Sequence, residues 1–86
     1  MLIVFELHVR PDFDEAQLLD AEAREELSAR VLTRREALAA GLPLPAPGRE
    51  GEVRYLPVNA RHRAWVERAI DGCPSVAAFD VHDVGG

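Results

Sequence analysis

Hydrophobic and polar positions alternate at the beginning and near the end of the chain. Between residues 2 and 9 the odd positions are apolar, whereas the even positions become polar as the segment proceeds. The segment from Ala77 to Val84 alternates in the same way. A two-residue period is typical of a β-strand that buries one face. We therefore predict strands in both segments, with Pro11 ending the first, and a further strand from Glu52 to Val58.

Two other segments have helical patterns. From about Asp14 to Ala40 the chain is rich in Ala, Leu, Glu and Arg, and its apolar residues recur at helical spacing, which predicts one long helix. Gly41 is suited to end this helix. Asn59 is placed to cap a second helix from Ala60 to Asp71, which Gly72 closes.

The proline-rich segment Gly41–Gly48 is predicted to supply the remaining strand, because its prolines at 43, 45 and 47 would all face one free edge. The order β-α-β-β-α-β predicts a single α+β domain over residues 1–86, with a ferredoxin-like fold. Its four-stranded antiparallel sheet would have the first and third strands at the centre and two helices on one face. Since the other face would be bare, we expect two copies to pair into a dimeric α+β barrel.

The bare face is expected to gather ionisable side chains: Glu6, His8, Tyr55, Asp80 and His82. Imidazole, carboxylate and phenol groups are the groups that proton transfer near neutral pH requires. We therefore expect Glu6, His8, Tyr55 and His82 to be catalytic and Asp80 to bind substrate. A hydrated face or a polar dimer interface would explain the same pattern. A site with two histidines and a carboxylate can also be drawn for a metal, but strand spacing alone supports it weakly, and we expect no metal.

The first turn of the second helix carries three basic side chains, Arg61, His62 and Arg63. The helix macrodipole disfavours cations at this end. We expect these residues to bind an anion such as a substrate carboxylate. Alternatively, the arginines pair with acidic residues elsewhere on an acid-rich surface.

Composition restricts the function further. Fifteen acidic residues against ten basic ones give a net charge of −5, which argues against nucleic-acid binding. The ten residues counted as basic are all arginine and the chain has no lysine, so chemistry that requires lysine, such as Schiff-base formation, is excluded. No apolar run approaches the roughly 20 residues that span a bilayer, and no cationic leader precedes the first strand, so we expect a cytoplasmic protein that binds no membrane. A short chain whose only cysteine is Cys73 also favours a homodimer or larger homo-oligomer.

The opening Met1–Pro11, followed by acidic residues and the long helix, resembles the muconolactone Δ-isomerases, and so does the part from Tyr55 to Val81. YciI-like proteins share this architecture, and their ends are similar to Cys73–Ala78. Both resemblances imply a dimeric α+β barrel. Muconolactone isomerases assemble such dimers into decamers.

The resemblance also implies a reaction: a double bond in a carboxylate-bearing lactone moves by proton abstraction and return, without metal or organic cofactor. It places the general base on the first long helix, at Glu26 when counted from Pro11 or at Arg30 when counted back from Gly41. We therefore expect a cofactor-independent isomerase or cyclase that acts on a small, anionic or ketone-bearing substrate in catabolism or secondary metabolism. The alternative is a non-catalytic ligand-binding or accessory oligomeric protein of the same fold.

Overall fold

The computed structural model describes residues 1–44 and 51–84. Along the chain the elements are β1 (Leu2–Val9), α1 (Glu15–Leu18), α2 (Ala21–Leu27), β2 (Leu32–Thr33), α3 (Arg34–Ala39), β3 (Glu52–Asn59), a 3₁₀ turn (Ala60–His62), α4 (Arg63–Asp71) and β4 (Val76–Asp83). The predicted strands at both ends of the chain and at Glu52–Val58 are confirmed to within a residue or two. The second predicted helix is confirmed as the 3₁₀ turn followed by α4.

The four strands form one antiparallel sheet in the order β2-β3-β1-β4. This confirms the predicted α+β class and a strand order compatible with a ferredoxin-like fold, with β1 and β3 central and β4 beside β1. In the register, Phe5 of β1 lies opposite Leu56 of β3 on one side and Val81 of β4 on the other. The alternation of β1 therefore sets which side chains of its neighbours share its two faces.

The prediction of one long helix over Asp14–Ala40 is wrong. Three short helices occupy this segment, and their N-caps Asp14, Asp20 and Thr33 each accept a backbone hydrogen bond from the first turn that follows. Ser28 adopts the left-handed conformation, with φ of 50°, and ends α2. Polar caps and tertiary packing outweigh helix propensity here. The described helices are four to nine residues long, and none is long and apolar enough to cross a membrane.

The edge strand also lies elsewhere than predicted. It is β2, where Leu32 pairs with Tyr55 and Thr33 pairs with Arg54. Residues 41–44 of the proline-rich segment are not in a strand, so the prediction is wrong there, and its remainder, with Pro45 and Pro47, lies outside the described residues. Leu32 and Thr33, the N-cap of α3, provide the edge instead of the prolines.

Each face of the sheet has its own apolar cluster. Helices α1, α2 and α4 cover the larger cluster, whose strand residues include Ile3, Phe5, Leu7, Leu56 and Val58. The sequence had suggested that the opposite face is bare, and this is wrong. A second apolar cluster on that face joins α3 to the sheet through Val4, Ala37, Val53 and Tyr55. Breaking the long helix is what allows α3 to reach this side.

Candidate functional site

The second face of the sheet carries the predicted ionisable residues on neighbouring strands. Glu6 of β1 lies opposite Tyr55 of β3 and opposite Asp80 of β4. His8 follows Glu6 by two positions and His82 follows Asp80 by two, so all of these side chains leave the sheet on the same side. We call Glu6, His8, Asp80 and His82 the β1–β4 cluster.

Glu6 is the centre of the β1–β4 cluster. Its side chain is buried, and its two oxygens contact different imidazoles: Oε2 lies 2.8 Å from His8 Nε2, and Oε1 lies 3.2 Å from His82 Nε2. An ionised carboxylate only accepts hydrogen bonds, so both Nε2 atoms donate to it. A buried carboxylate is stable in an apolar sheet only when it is paired in this way.

His8 is held between two carboxylates. Its Nε2 also lies 3.5 Å from Asp80 Oδ2, while its Nδ1 is buried and has no hydrogen-bond partner in the described part of the chain. The tautomer with hydrogen on Nε2 fits these surroundings, because it points its only N–H at the acceptors. A hydrogen on Nδ1 would be a buried donor without an acceptor.

This geometry also tests the fit of a metal ion. Glu6, His8 and Asp80 offer ligand atoms that lie within 4.8 Å of one another, so these residues could surround a cation. A histidine that binds a metal through Nε2 carries its hydrogen on Nδ1 and normally donates it to a neighbour. Since His8 Nδ1 meets no such neighbour among the described residues, a proton suits this position better than a metal.

His82 and Asp80 connect the buried carboxylate to solvent. The His82 side chain is 26% exposed and the Asp80 side chain 59%, compared with 3% for Glu6. With Nε2 engaged by Glu6, the nitrogen of His82 that is left for another molecule is Nδ1. The cluster therefore combines a shielded carboxylate with an imidazole that solvent can reach.

Tyr55 lies on the same face but is not available in the way expected. It is completely buried, and its hydroxyl accepts a hydrogen bond of 2.6 Å from Arg34 Nη1 at the start of α3. The Arg34 guanidinium also lies 5.8 Å from the centre of the Tyr55 ring. The expectation that Tyr55 contacts a substrate directly does not fit this burial; it anchors α3 to the sheet.

The other predicted residues lie on the opposite side of the sheet. Glu26 of α2 lines a cavity together with Arg61, His62 and Trp65, between α2 and the start of α4, two of the helices that cover the larger apolar cluster. Arg63 does not line this cavity; its guanidinium pairs with Glu67 one turn later, at 3.0 Å. The expected combination of Glu26 or these arginines with the β1–β4 cluster in one site is therefore wrong for a single copy of the chain. Arg30, the other position for the implied base, pairs with Glu36 at 3.0 Å.

Sequence reasoning missed Arg34, which looks like one more exposed residue of a long helix. The sequence does contain a signal for a helix that begins at Arg34, and it starts one residue before Arg34. Thr33 and Glu36 have the spacing of a capping box, and the structure contains both of its hydrogen bonds. Recognising this box would have started a new helix at Arg34 and separated it from the preceding segment.

No protein-family model, characterised protein or solved structure matches this chain in the comparisons made.

Proposed function

We propose that this chain is a cytoplasmic, cofactor-independent enzyme that moves a proton on a small carbonyl compound by general acid–base catalysis. The observation that carries the proposal is the buried carboxylate of Glu6, hydrogen-bonded to His8 on one oxygen and to His82 on the other. A carboxylate that orients an imidazole and stabilises its protonated form is a recurrent arrangement in proton transfer. The resemblance to muconolactone Δ-isomerases points to the same type of step.

The proposed reaction begins at His82, the more exposed imidazole. Its Nδ1 takes a proton from the carbon next to a carbonyl, so that the C–H bond breaks, an N–H bond forms and the electron pair moves to the carbonyl oxygen as an enolate. Glu6 stabilises the resulting imidazolium through Nε2. Return of the proton to a different carbon completes an isomerisation. In a cyclisation, the enolate carbon would instead form a C–C bond to a second carbonyl of the same molecule, and the imidazolium would give its proton to the resulting alkoxide.

The charges in the β1–β4 cluster favour a neutral ketone or lactone as the substrate. Glu6 and Asp80 contribute two carboxylates, whereas Arg61 and Arg63 lie on the other side of the sheet. Two carboxylates repel an anionic substrate, and the guanidinium of Arg34, which lies on the same face, is already engaged by Tyr55. This modifies the expectation of an anionic substrate.

The test is solvent exchange, which requires no knowledge of the natural substrate. In D₂O the protein is mixed with cyclohexanone or with α-angelica lactone, a lactone with an unconjugated double bond, and ¹H NMR follows loss of the protons next to the carbonyl. We expect exchange above the buffer rate, and for the lactone a shift of the double bond into conjugation. His82→Gln should lower the rate by about a hundredfold or more, the usual contribution of a general base.

Asp83→Asn is the matched control, because Asp83 is an exposed neighbour on the same strand. It should exchange at the rate of the unchanged protein. Equal rates for His82→Gln and the unchanged protein would overturn the role of the cluster. Buffer-rate exchange with both probes, from protein that circular dichroism shows to be folded, would overturn the enzymatic proposal in favour of a non-catalytic ligand-binding protein.

We also propose that the chain functions as a homodimer. Strand β4 is eight residues long, and within the described residues its outer edge has no neighbouring strand. An edge of this length, without proline or lysine, readily pairs with another strand. Sedimentation equilibrium should give about twice the 9.5 kDa chain mass, and a mass of one chain at all concentrations would contradict the proposal.

A further inference from the structure

A cavity of about 90 Å³ lies between α2 and the start of α4. It has no part in the proposed proton transfer, because it is on the side of the sheet that α1, α2 and α4 cover, away from the β1–β4 cluster. Its lining combines opposite charges with apolar surface. The residues are Ala23, Glu26, Leu27, Arg61, His62 and Trp65.

The two charged groups of the cavity come from different elements. Glu26 is an exposed residue on the last turn of α2, and Arg61 is in the 3₁₀ turn, whose backbone Asn59 caps by accepting a hydrogen bond from the Arg61 N–H at 3.0 Å. Within residues 1–44 and 51–84 neither charge is in an ion pair, with the other or with a third residue. Among the described residues, a carboxylate and a guanidinium that are each without an ion pair therefore border the same small space.

His62 orients the guanidinium. Arg61 Nε donates to His62 Nε2 at 3.3 Å, so this imidazole is an acceptor at Nε2 and carries its hydrogen on Nδ1. This hydrogen bond fixes the Nε edge of the planar guanidinium. Its two terminal nitrogens remain for a carboxylate, which they can bind through two parallel hydrogen bonds.

Trp65 supplies the apolar part of the cavity. It is 41% exposed, which is unusual for the largest apolar side chain, and Ala23 and Leu27 lie beside it. An indole face attracts an ammonium group and packs well against short alkyl groups. The space is sufficient for a molecule of a few heavy atoms and too small for a drug-sized ligand.

We propose that this cavity binds a small zwitterion of the amino-acid type. Arg61 binds the carboxylate, Glu26 binds the ammonium group, and Trp65 covers the alkyl part. A simple anion would leave Glu26 unpaired beside it, and a simple cation would face Arg61. A ligand with both charges pairs with Glu26 and with Arg61, so that neither side chain is left without a counter-charge.

Trp65 also provides the measurement, because it is the only tryptophan in the chain and its fluorescence reports on this cavity alone. The full chain is titrated with L-alanine and with β-alanine, whose charges are farther apart. We expect saturable fluorescence changes with at least one of them, with a dissociation constant on the order of 1 mM, as suits so small a ligand. N-acetylalanine and alanine methyl ester, which each lack one charge, should bind at least about tenfold more weakly.

Two variants assign the charges, and a third serves as the control. Glu26→Gln should abolish the preference for alanine over N-acetylalanine, and Arg61→Gln should abolish the preference for alanine over its methyl ester. Arg63→Gln, the neighbouring arginine that already pairs with Glu67, should bind as the unchanged chain does. Equal binding of alanine and N-acetylalanine, or no saturable change with either amino acid, would overturn the proposal. The outcome is independent of solvent exchange at the β1–β4 cluster, which these variants leave intact.

Discussion

Glu6 and His82 are 76 positions apart in the sequence, yet Glu6 Oε1 accepts a hydrogen bond from His82 Nε2 at 3.2 Å. Antiparallel pairing of β1 with β4 makes this contact, since Val4 lies opposite His82 and Glu6 lies opposite Asp80. Glu6 and His82 are thus diagonal neighbours on one face of the sheet. The β1–β4 cluster therefore requires the first and the last strand together.

The hydrogen bond between Glu6 and His8 should appear as an energetic coupling. Glu6→Gln and His8→Gln should each lower the free energy of unfolding by about 1–3 kcal/mol, because each leaves the other buried group with a poorer partner. In a double-mutant cycle from urea unfolding, the two changes should couple by about 0.5–3 kcal/mol.

Asp80→Asn is the control for that cycle. The Asp80 side chain is 59% exposed and lies 3.5 Å from His8, so its change should stay within about 0.5 kcal/mol. Strict additivity of the Glu6 and His8 changes would show that the 2.8 Å contact contributes nothing to stability.

The bond between Tyr55 and Arg34 should stabilise the docking of α3. Tyr55→Phe removes the hydroxyl that accepts from Arg34 while leaving the buried ring, and we expect a loss of about 1.5 kcal/mol in unfolding free energy. Amide hydrogen exchange should speed up in α3 more than in α4. Arg35→Gln, at the exposed neighbouring position, should alter neither quantity, and a Tyr55→Phe variant as stable as the unchanged protein would contradict this role.

Ser28 should carry measurable backbone strain. Its φ of 50° is unfavourable for a residue with a Cβ by about 1 kcal/mol, and glycine would remove that strain while gaining freedom in the unfolded chain. We expect Ser28→Gly to raise the unfolding free energy by about 0.5 kcal/mol. Ser28→Ala, which keeps the Cβ, should bring no gain. A destabilised Ser28→Gly variant would mean that the serine side chain, not its backbone, ends α2.

Glu36 should make the stability of α3 depend on acid pH. The backbone hydrogen bond from Thr33, reinforced by the Thr33 side chain, holds the pKa of the Glu36 carboxyl below its ordinary value of 4.5. The ionised carboxylate therefore adds stability above that value, and the contribution is lost as the pH falls through the lower pKa of the folded state.

The measurement is the difference in urea midpoint between the unchanged protein and Glu36→Gln. This difference should be largest above pH 4.5 and should shrink toward zero in more acidic solution. Glu25→Gln, at an exposed position of α2, should show no such trend. A difference that stays constant with pH would contradict the linkage.

The alternation of β1 was enough to predict which face carries Glu6 and His8, because a two-residue period has only two solutions and Phe5 and Leu7 fix one of them. The same argument placed His82 correctly on β4. Ser28 could not be predicted in this way, since nothing local forces a serine into a left-handed conformation. Its conformation follows from packing Leu27 and Val31 on one face of the sheet and Ala37 on the other.

The separation of Glu26 from the β1–β4 cluster has the same origin. Helical spacing assigned Glu26 to a face of a long helix, but it gave no information about where that helix lies relative to the sheet. The helical segment is interrupted after Leu18 and after Leu27, and α2 between them packs on the face of the sheet that carries Phe5 and Leu7. Glu26 is part of α2 and therefore lies on that side. Arg61 joined it there because Asn59 caps the turn at the end of β3.

In a single copy of the chain, β4 contacts only β1 within the described sheet, so His82 is the least constrained member of the β1–β4 cluster. Edge strands fray from their ends, and His82 is one residue from the end of β4. Transient detachment of that end would free the imidazole while His8, on a central strand, keeps its hold on Glu6. The hydrogen bond between Glu6 and His82 should therefore open before the one between Glu6 and His8, whenever the end of β4 detaches from β1.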